Sequence, residues 1–109
     1  MKRIALAAAL VTALAAALPA LAATPTYKGT VGPGFTISMS TKPTKAGTAK
    51  LVIDDKSSAH NFHLTGPGVN VKTSVPAVGV KTFTVSLKKG TYKFVCDPHL
   101  FMKGSFTVK

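Results

Sequence analysis

The sequence of 109 residues has one cysteine, no tryptophan, no glutamate and only three acidic residues, all of them aspartate. A single cysteine excludes an intramolecular disulfide bond. With so few carboxylates, and without a nucleophile–base pair, the sequence offers almost nothing for acid–base or covalent catalysis. We therefore expect a protein that is not an enzyme.

The first 22 residues have the composition of an export signal. A short basic start precedes an uncharged run rich in alanine and leucine at residues 4–18, and the ALA at residues 20–22 is the small-x-small pattern of a signal peptidase site. A retained membrane helix is the alternative, but the run is shorter than the roughly 20 apolar residues that cross a bilayer. We expect cleavage after Ala22, which leaves residues 23–109 as one periplasmic or secreted domain, monomeric and without stable membrane insertion.

Positive charge is strongly in excess, with 14 lysine and arginine residues and a formal net charge of +11 at pH 7. Loss of Lys2 and Arg3 with the signal lowers this charge to +9. A basic protein favours acidic partners. Because the lysines are spread along the chain and an exported protein rarely meets nucleic acid, we expect no nucleic-acid partner, and an acidic protein face fits better. A surface kept soluble by lysines is an equally good explanation of the charge.

The remainder of the sequence has the pattern of an all-β protein. Short runs that alternate apolar and polar residues are separated by glycine and proline, and nothing follows the helical period. These runs lie at residues 35–39, 49–53, 60–65, 80–87, 92–96 and 105–109, with polar loops such as residues 54–59 between them. Many short strands at close spacing predict a β-sandwich or barrel. Tyr92, just after a tight turn, has the setting of a tyrosine corner, although it could instead only pack at the edge of the core.

The segment CDPHLFMKG at residues 96–104 carries the most chemical information. It places the thiolate of Cys96, the imidazole of His99 and the thioether of Met102 on a predicted loop between two strands. A thiolate, two imidazoles and a weak axial methionine are the ligands of blue copper electron-transfer sites. A small domain without a disulfide also often needs a bound metal for stability. Each residue alone would be a core or surface residue, but together they predict one bound copper ion.

The second imidazole must come from His60 or His63, since these are the other two histidines. Side chains alternate between the faces of a strand, so His60 shares a face with Phe62 and Leu64, and His63 shares the other face with Asn61. The face with Phe62 and Leu64 is the core face. We therefore predict that His60 points inward as the ligand and that His63 is an exposed imidazole.

These motifs resemble the cupredoxins of the plastocyanin, pseudoazurin and amicyanin kind. The matching segments are AHNF at residues 59–62, YKFVCDPH at residues 92–99 and MKG at residues 102–104. The Cys-x-x-His-x-x-Met spacing is most similar to amicyanin and pseudoazurin. The resemblance covers nearly all of residues 23–109 and implies a Greek-key β-sandwich. It implies copper ligands at His60, Cys96, His99 and Met102.

The resemblance also implies roles for residues beside the ligands. Asn61 is expected to fix the two ligand-bearing loops to each other and to the sulfur. The later histidine, His99, is expected near the surface in an apolar patch through which electrons leave, formed by Pro67, Pro98, Leu100 and Phe101. The sequence departs from the family in its charge and in the GPG insertion at residues 66–68. Both departures bear on which partner the protein binds, and neither changes the prediction of the metal.

Three functions follow from these observations. The first is an exported electron carrier in which one copper ion alternates between Cu(I) and Cu(II), serving redox partner proteins of which one has an acidic docking face. The second is a periplasmic copper-binding protein for copper storage, delivery or resistance. The third is a structural or adhesive β-sandwich that binds no metal.

Overall fold

The computed structural model describes residues 23–109, and the predicted export signal lies outside the described residues. The described chain forms eight strands. They are β1 (Thr26–Val31), β2 (Ile37–Met39), β3 (Gly47–Asp55), β4 (His63–Gly66), β5 (Val69–Lys72), β6 (Gly79–Leu87), β7 (Gly90–Cys96) and β8 (His99–Val108). Within residues 23–109 no helix is long and apolar enough to cross a membrane.

The strands form two four-stranded sheets, in the orders β2-β1-β3-β6 and β5-β4-β7-β8. In the first sheet β1 runs parallel to β3, while β2 and β6 pair antiparallel to their neighbours. All pairs in the second sheet are antiparallel. The predicted all-β sandwich is therefore confirmed.

Alternating side chains of both sheets form one apolar core. Leu51 and Ile53 of β3 are fully buried, as are Tyr92 and Phe94 of β7. The ring of Phe94 stacks on that of Phe62 with centroids 5.4 Å apart. Because these strands follow the two-residue period of a half-buried sheet, the core needs no helix to cover it.

Several strand boundaries differ from the prediction. The strand expected at residues 35–39 begins at Ile37, because a turn occupies the preceding residues: the Gly32 amide donates to the Thr36 carbonyl oxygen at 2.8 Å. The final strand begins at His99 rather than at residue 105, and β3 continues through Asp55 into the predicted polar loop. The predicted runs missed both β1, which lies between β2 and β3, and β5, which lies on the edge of its sheet.

The tyrosine corner is present at the end of the sandwich opposite Cys96. The Tyr92 hydroxyl accepts a hydrogen bond from the Lys88 amide at 2.9 Å and donates one to the Pro67 carbonyl oxygen at 2.8 Å. Gly68, with φ of +70°, closes the turn between β4 and β5, which suits a glycine. β7 runs from this corner to Cys96, which places the corner about 20 Å from Cys96 at the usual rise per residue. Pro67 lies at the corner, so it does not join an apolar patch beside His99, and that expectation was wrong.

Candidate metal centre

Three of the four predicted ligands meet at one end of the sandwich. The ligand atoms of His60, Cys96 and His99 all lie within 4.8 Å of one another. The two Nδ1 atoms are 3.1 Å apart, and the Cys96 Sγ lies 3.8 Å from Nδ1 of His60 and 3.6 Å from Nδ1 of His99. His60 and Cys96 are buried, with 3% and 0% of their surfaces exposed, whereas His99 is partly exposed.

A β-bulge in the β7–β8 hairpin brings Cys96 and His99 together. Val95 pairs with Lys103, so a regular ladder would place Cys96 opposite Met102. Instead the register shifts, and Cys96 pairs with His99. The residues between His99 and Lys103 form the bulge, and such irregularities re-aim side chains at functional sites.

Met102 lies immediately before the resumed ladder, next to the position of Cys96. Its side chain is 2% exposed and belongs to the apolar core. A buried thioether at this point of the hairpin is where an axial ligand is expected.

His60 reaches the site from the connection between β3 and β4. Its amide donates to the Ser57 carbonyl oxygen at 3.4 Å, and the Ala59 amide donates to the Ser57 hydroxyl at 3.1 Å, so a compact turn sets its position. The choice of His60 over His63 agrees with this geometry, but the strand argument behind it was wrong. His60 precedes β4, and Asn61, which the alternation placed on the outer face, is 1% exposed.

Asn61 ties the His60 turn to the turn after β7. Its side-chain oxygen accepts from the Asp97 amide at 2.8 Å, and its side-chain nitrogen donates to the Asp97 carboxylate at 2.8 Å and to the Thr73 carbonyl oxygen at 3.2 Å. Its amide donates to the Cys96 sulfur at 3.4 Å. The linking role that the resemblance implied for Asn61 is therefore present in the hydrogen bonds.

His63 points away from the metal centre, as predicted, but its side chain is only 20% exposed. Its Nδ1 lies 2.8 Å from a carboxylate oxygen of Asp97, and its Nε2 lies 2.7 Å from the side-chain oxygen of Asn70. The hydrogen bond to Asp97, supported by that to Asn70, raises the pKa of His63. The same bond to His63 lowers the pKa of Asp97. The sequence analysis missed this pair.

A buried carboxylate lies near the site. Asp55, at the end of β3, is 2% exposed, and burial raises its pKa although its Oδ1 accepts from the Ser57 amide at 3.0 Å. Its Oδ2 has no hydrogen-bond partner. The prediction of a polar loop at residues 54–59 was wrong for Asp55, because β3 extends through this residue and carries it to the inner face.

Exposed apolar side chains surround the edge of His99. Leu100 and Phe101 are exposed, as the resemblance implied. Phe35 is also exposed and joins them: its ring centroid lies 5.1 Å from that of His99 and 5.7 Å from that of Phe101. The sequence analysis had placed Phe35 in a strand, but the turn before β2 leaves it free to pack over His99.

The donor set fits a soft, redox-active metal. Two Nδ1 atoms 3.1 Å apart cannot both carry a proton between them, so at least one presents a lone pair to the space that the two rings share with Cys96 Sγ. A buried cysteine sulfur with two imidazoles suits copper, and the Asn61 amide donates a hydrogen bond to that sulfur. The residues present therefore match the group that the sequence motif predicts.

Comparison with known proteins agrees with this geometry. A family model described as a Cupredoxin-like domain matches residues 4–108. Amicyanin-alpha of Methylorubrum extorquens is 37% identical over 68 residues, which are 60% of this chain and 57% of the amicyanin, so the match spans less than two thirds of that relative.

Solved structures show the same fold. Rusticyanin from Thiobacillus ferrooxidans superposes with a TM-score of 0.58 and 25% identity over 79% of this chain and 77% of that one. A reduced rusticyanin gives a TM-score of 0.59 at 24% identity over 79% of each chain. The chain belongs to the cupredoxin-like family of blue copper proteins, and its cofactor is one copper ion.

Proposed function

We propose that this protein is an exported one-electron carrier whose copper ion is held by His60, Cys96, His99 and Met102. The observation that carries the proposal is the convergence of Cys96 Sγ with the Nδ1 atoms of His60 and His99, all within 4.8 Å. A copper ion with this ligand set accepts and releases single electrons. Met102 supplies the weak axial ligand, from its position beside Cys96 in the β7–β8 hairpin.

The surroundings of the site suit electron transfer better than catalysis. Three ligand side chains and Met102 leave no easy open position for a substrate. Asn61 holds the His60 turn and the turn after Cys96 to each other, so the donors stay in place when the charge at the centre changes. Small rearrangement on reduction favours rapid electron exchange.

His99 is the proposed exit for the electron. It is the partly exposed ligand, and Phe35, Leu100 and Phe101 form an apolar surface around it. A small apolar contact surface suits a short-lived complex with a redox partner protein. The excess of lysines would steer the carrier toward a partner with an acidic docking face in the periplasm or outside the cell.

The visible absorption spectrum of residues 23–109 with one equivalent of Cu(II) tests this proposal. We expect an intense blue band from thiolate-to-copper charge transfer, which Cys96→Ser abolishes. His63→Ala is the matched control and keeps the band, because His63 is not a ligand. A colourless protein that takes up no copper would refute the copper site.

Redox cycling then separates electron transfer from copper handling. We expect rapid, reversible reduction and reoxidation, with the metal retained in the presence of a mild chelator. Slow reduction together with loss of copper to the chelator would instead support storage or delivery and contradict the carrier function.

A further inference from the structure

An unbroken chain of hydrogen bonds connects the partly exposed His63 to the thiol of Cys96. His63 Nδ1 contacts the Asp97 carboxylate at 2.8 Å, the other oxygen of that carboxylate accepts from the Asn61 side chain at 2.8 Å, and the Asn61 amide donates to Cys96 Sγ at 3.4 Å. These hydrogen bonds therefore link the outer face of the second sheet with the metal centre, although His63 is not a metal ligand.

Both ring nitrogens of His63 face oxygen atoms. An ionised carboxylate only accepts hydrogen bonds, so Nδ1 facing Asp97 carries a proton. Nε2 faces the side-chain oxygen of Asn70, which also accepts. Acceptor oxygens at both nitrogens favour the protonated ring, the form whose positive charge opposes the negative charge of Asp97.

Charged groups on neighbouring strands act on the same ring. Lys72 pairs with His63 from β5, and its charge works against protonation of the imidazole. On the other side Val95 of β7 separates His63 from Lys103 of β8. Asp97 is the acidic group in direct contact with His63, and it outweighs these lysines because it is hydrogen-bonded to the ring.

We propose that His63 is a positioning residue for the copper centre, which acts through Asp97 and Asn61 to hold the N–H···S bond at Cys96 and to raise the reduction potential. This inference rests on the proposed function. Both of its effects have the same sign: a positive charge near the site favours the reduced form, and an amide donor stabilises the extra electron density on the sulfur.

Replacement of His63 by a neutral residue of similar size tests the proposal. For His63→Gln we expect the blue band to persist and the equilibrium constant for one-electron reduction to fall at least threefold, which is about 28 mV when tenfold corresponds to 59 mV. An intact band with an unchanged potential would overturn the inference but leave the carrier function standing. A wild-type protein without the band would instead refute the proposed function.

Lys72→Gln is the matched control for charge alone, since Lys72 pairs with His63 in the sheet but has no hydrogen bond to Asp97. We expect it to change the reduction constant less than His63→Gln does. Equal effects would mean that His63 acts only as a surface charge, which would contradict the positioning role. A double-mutant cycle with Asp97→Asn should be non-additive, because His63 and Asp97 act as one unit.

Proton titration provides a readout without copper. In the metal-free protein, NMR of the His63 ring should give a pKa above 6.5, and Asp97→Asn should return it toward 6.5. In the copper form the reduction potential of the wild type should fall as the pH rises through that pKa, whereas His63→Gln should lack this step. A wild-type ring that titrates at or below 6.5 would contradict the pairing on which the proposal depends.

Discussion

Loss of the Asn61 side chain should cost a large share of the stability of this domain. Asn61→Ala removes three side-chain hydrogen bonds, one to the Thr73 carbonyl oxygen and two to Asp97, and all of them lie at a residue with 1% exposure. A hydrogen bond contributes roughly 0.5–1.5 kcal/mol net, and those to charged groups contribute more. The expected loss in the free energy of unfolding is therefore about 3 kcal/mol.

Denaturation of the metal-free protein measures this loss without a contribution from metal binding. Urea unfolding should show a lower midpoint with an unchanged slope, because the native fold and the surface exposed on unfolding are the same. In a domain of this size 1 kcal/mol corresponds to roughly 4–8 °C in melting temperature, so the melting temperature of Asn61→Ala should be about 12–24 °C lower than that of the wild type.

Asn70→Ala is the matched control, since Asn70 is an exposed asparagine with one side-chain hydrogen bond, to His63. It should change the free energy of unfolding by less than about 0.5 kcal/mol. A loss below about 1 kcal/mol for Asn61→Ala would refute the reasoning, because the connection between the two turns would then be held by other contacts.

Three further outcomes follow from the same geometry. Met102→Gln should retain the copper and its colour but lower the reduction potential, since the axial ligand tunes it; an unchanged potential in voltammetry would remove Met102 from the site. Gly104→Ala would drive a methyl group into the phenylalanine ring paired with it and should cost about 1–3 kcal/mol in urea unfolding, whereas Gly34→Ala, with open space around it, should cost far less. The difference in the free energy of unfolding between wild type and His63→Gln should shrink at both high and low pH, because the contact between His63 and Asp97 stabilises the fold only while both groups are charged. The pKa of His63 is raised, so the contact is lost as the pH rises above 6.5 through the folded pKa of His63; the pKa of Asp97 is lowered, so the contact is also lost as the pH falls below 3.8 through the folded pKa of Asp97. A difference that stays constant with pH would exclude the ion pair.

Local spacing in the sequence was enough to find the three converging donors. Cys96 and His99 are separated by only two residues in a hairpin, so any tight turn keeps them close. His60 was identified through the burial of its neighbours, and the conclusion survived even though the assumed strand was absent. Short-range motifs and the apolar pattern were thus enough to predict both the fold class and the centre of the site.

The surrounding interactions depend on strand pairing and could not be read from spacing. His63 meets Asp97 because β4 pairs with β7 so that His63 lies opposite Val95, a contact between residues far apart in the sequence. The packing of Phe35 over His99 likewise requires the first sheet to close over the second. A pattern along one strand gives the face of each side chain, but not the register between strands that creates these contacts.

The placement of the ligands also explains how a small domain without a disulfide can hold a stable redox centre. The connection that carries His60 leaves β3 in one sheet and enters β4 in the other, while Cys96 and His99 belong to a single hairpin. A metal bound by all three therefore joins the crossing between the sheets to that hairpin. Asn61 makes the same connection with hydrogen bonds from the protein itself. We expect a site held in this way to change little between oxidation states, which is the property that the proposed electron carrier needs.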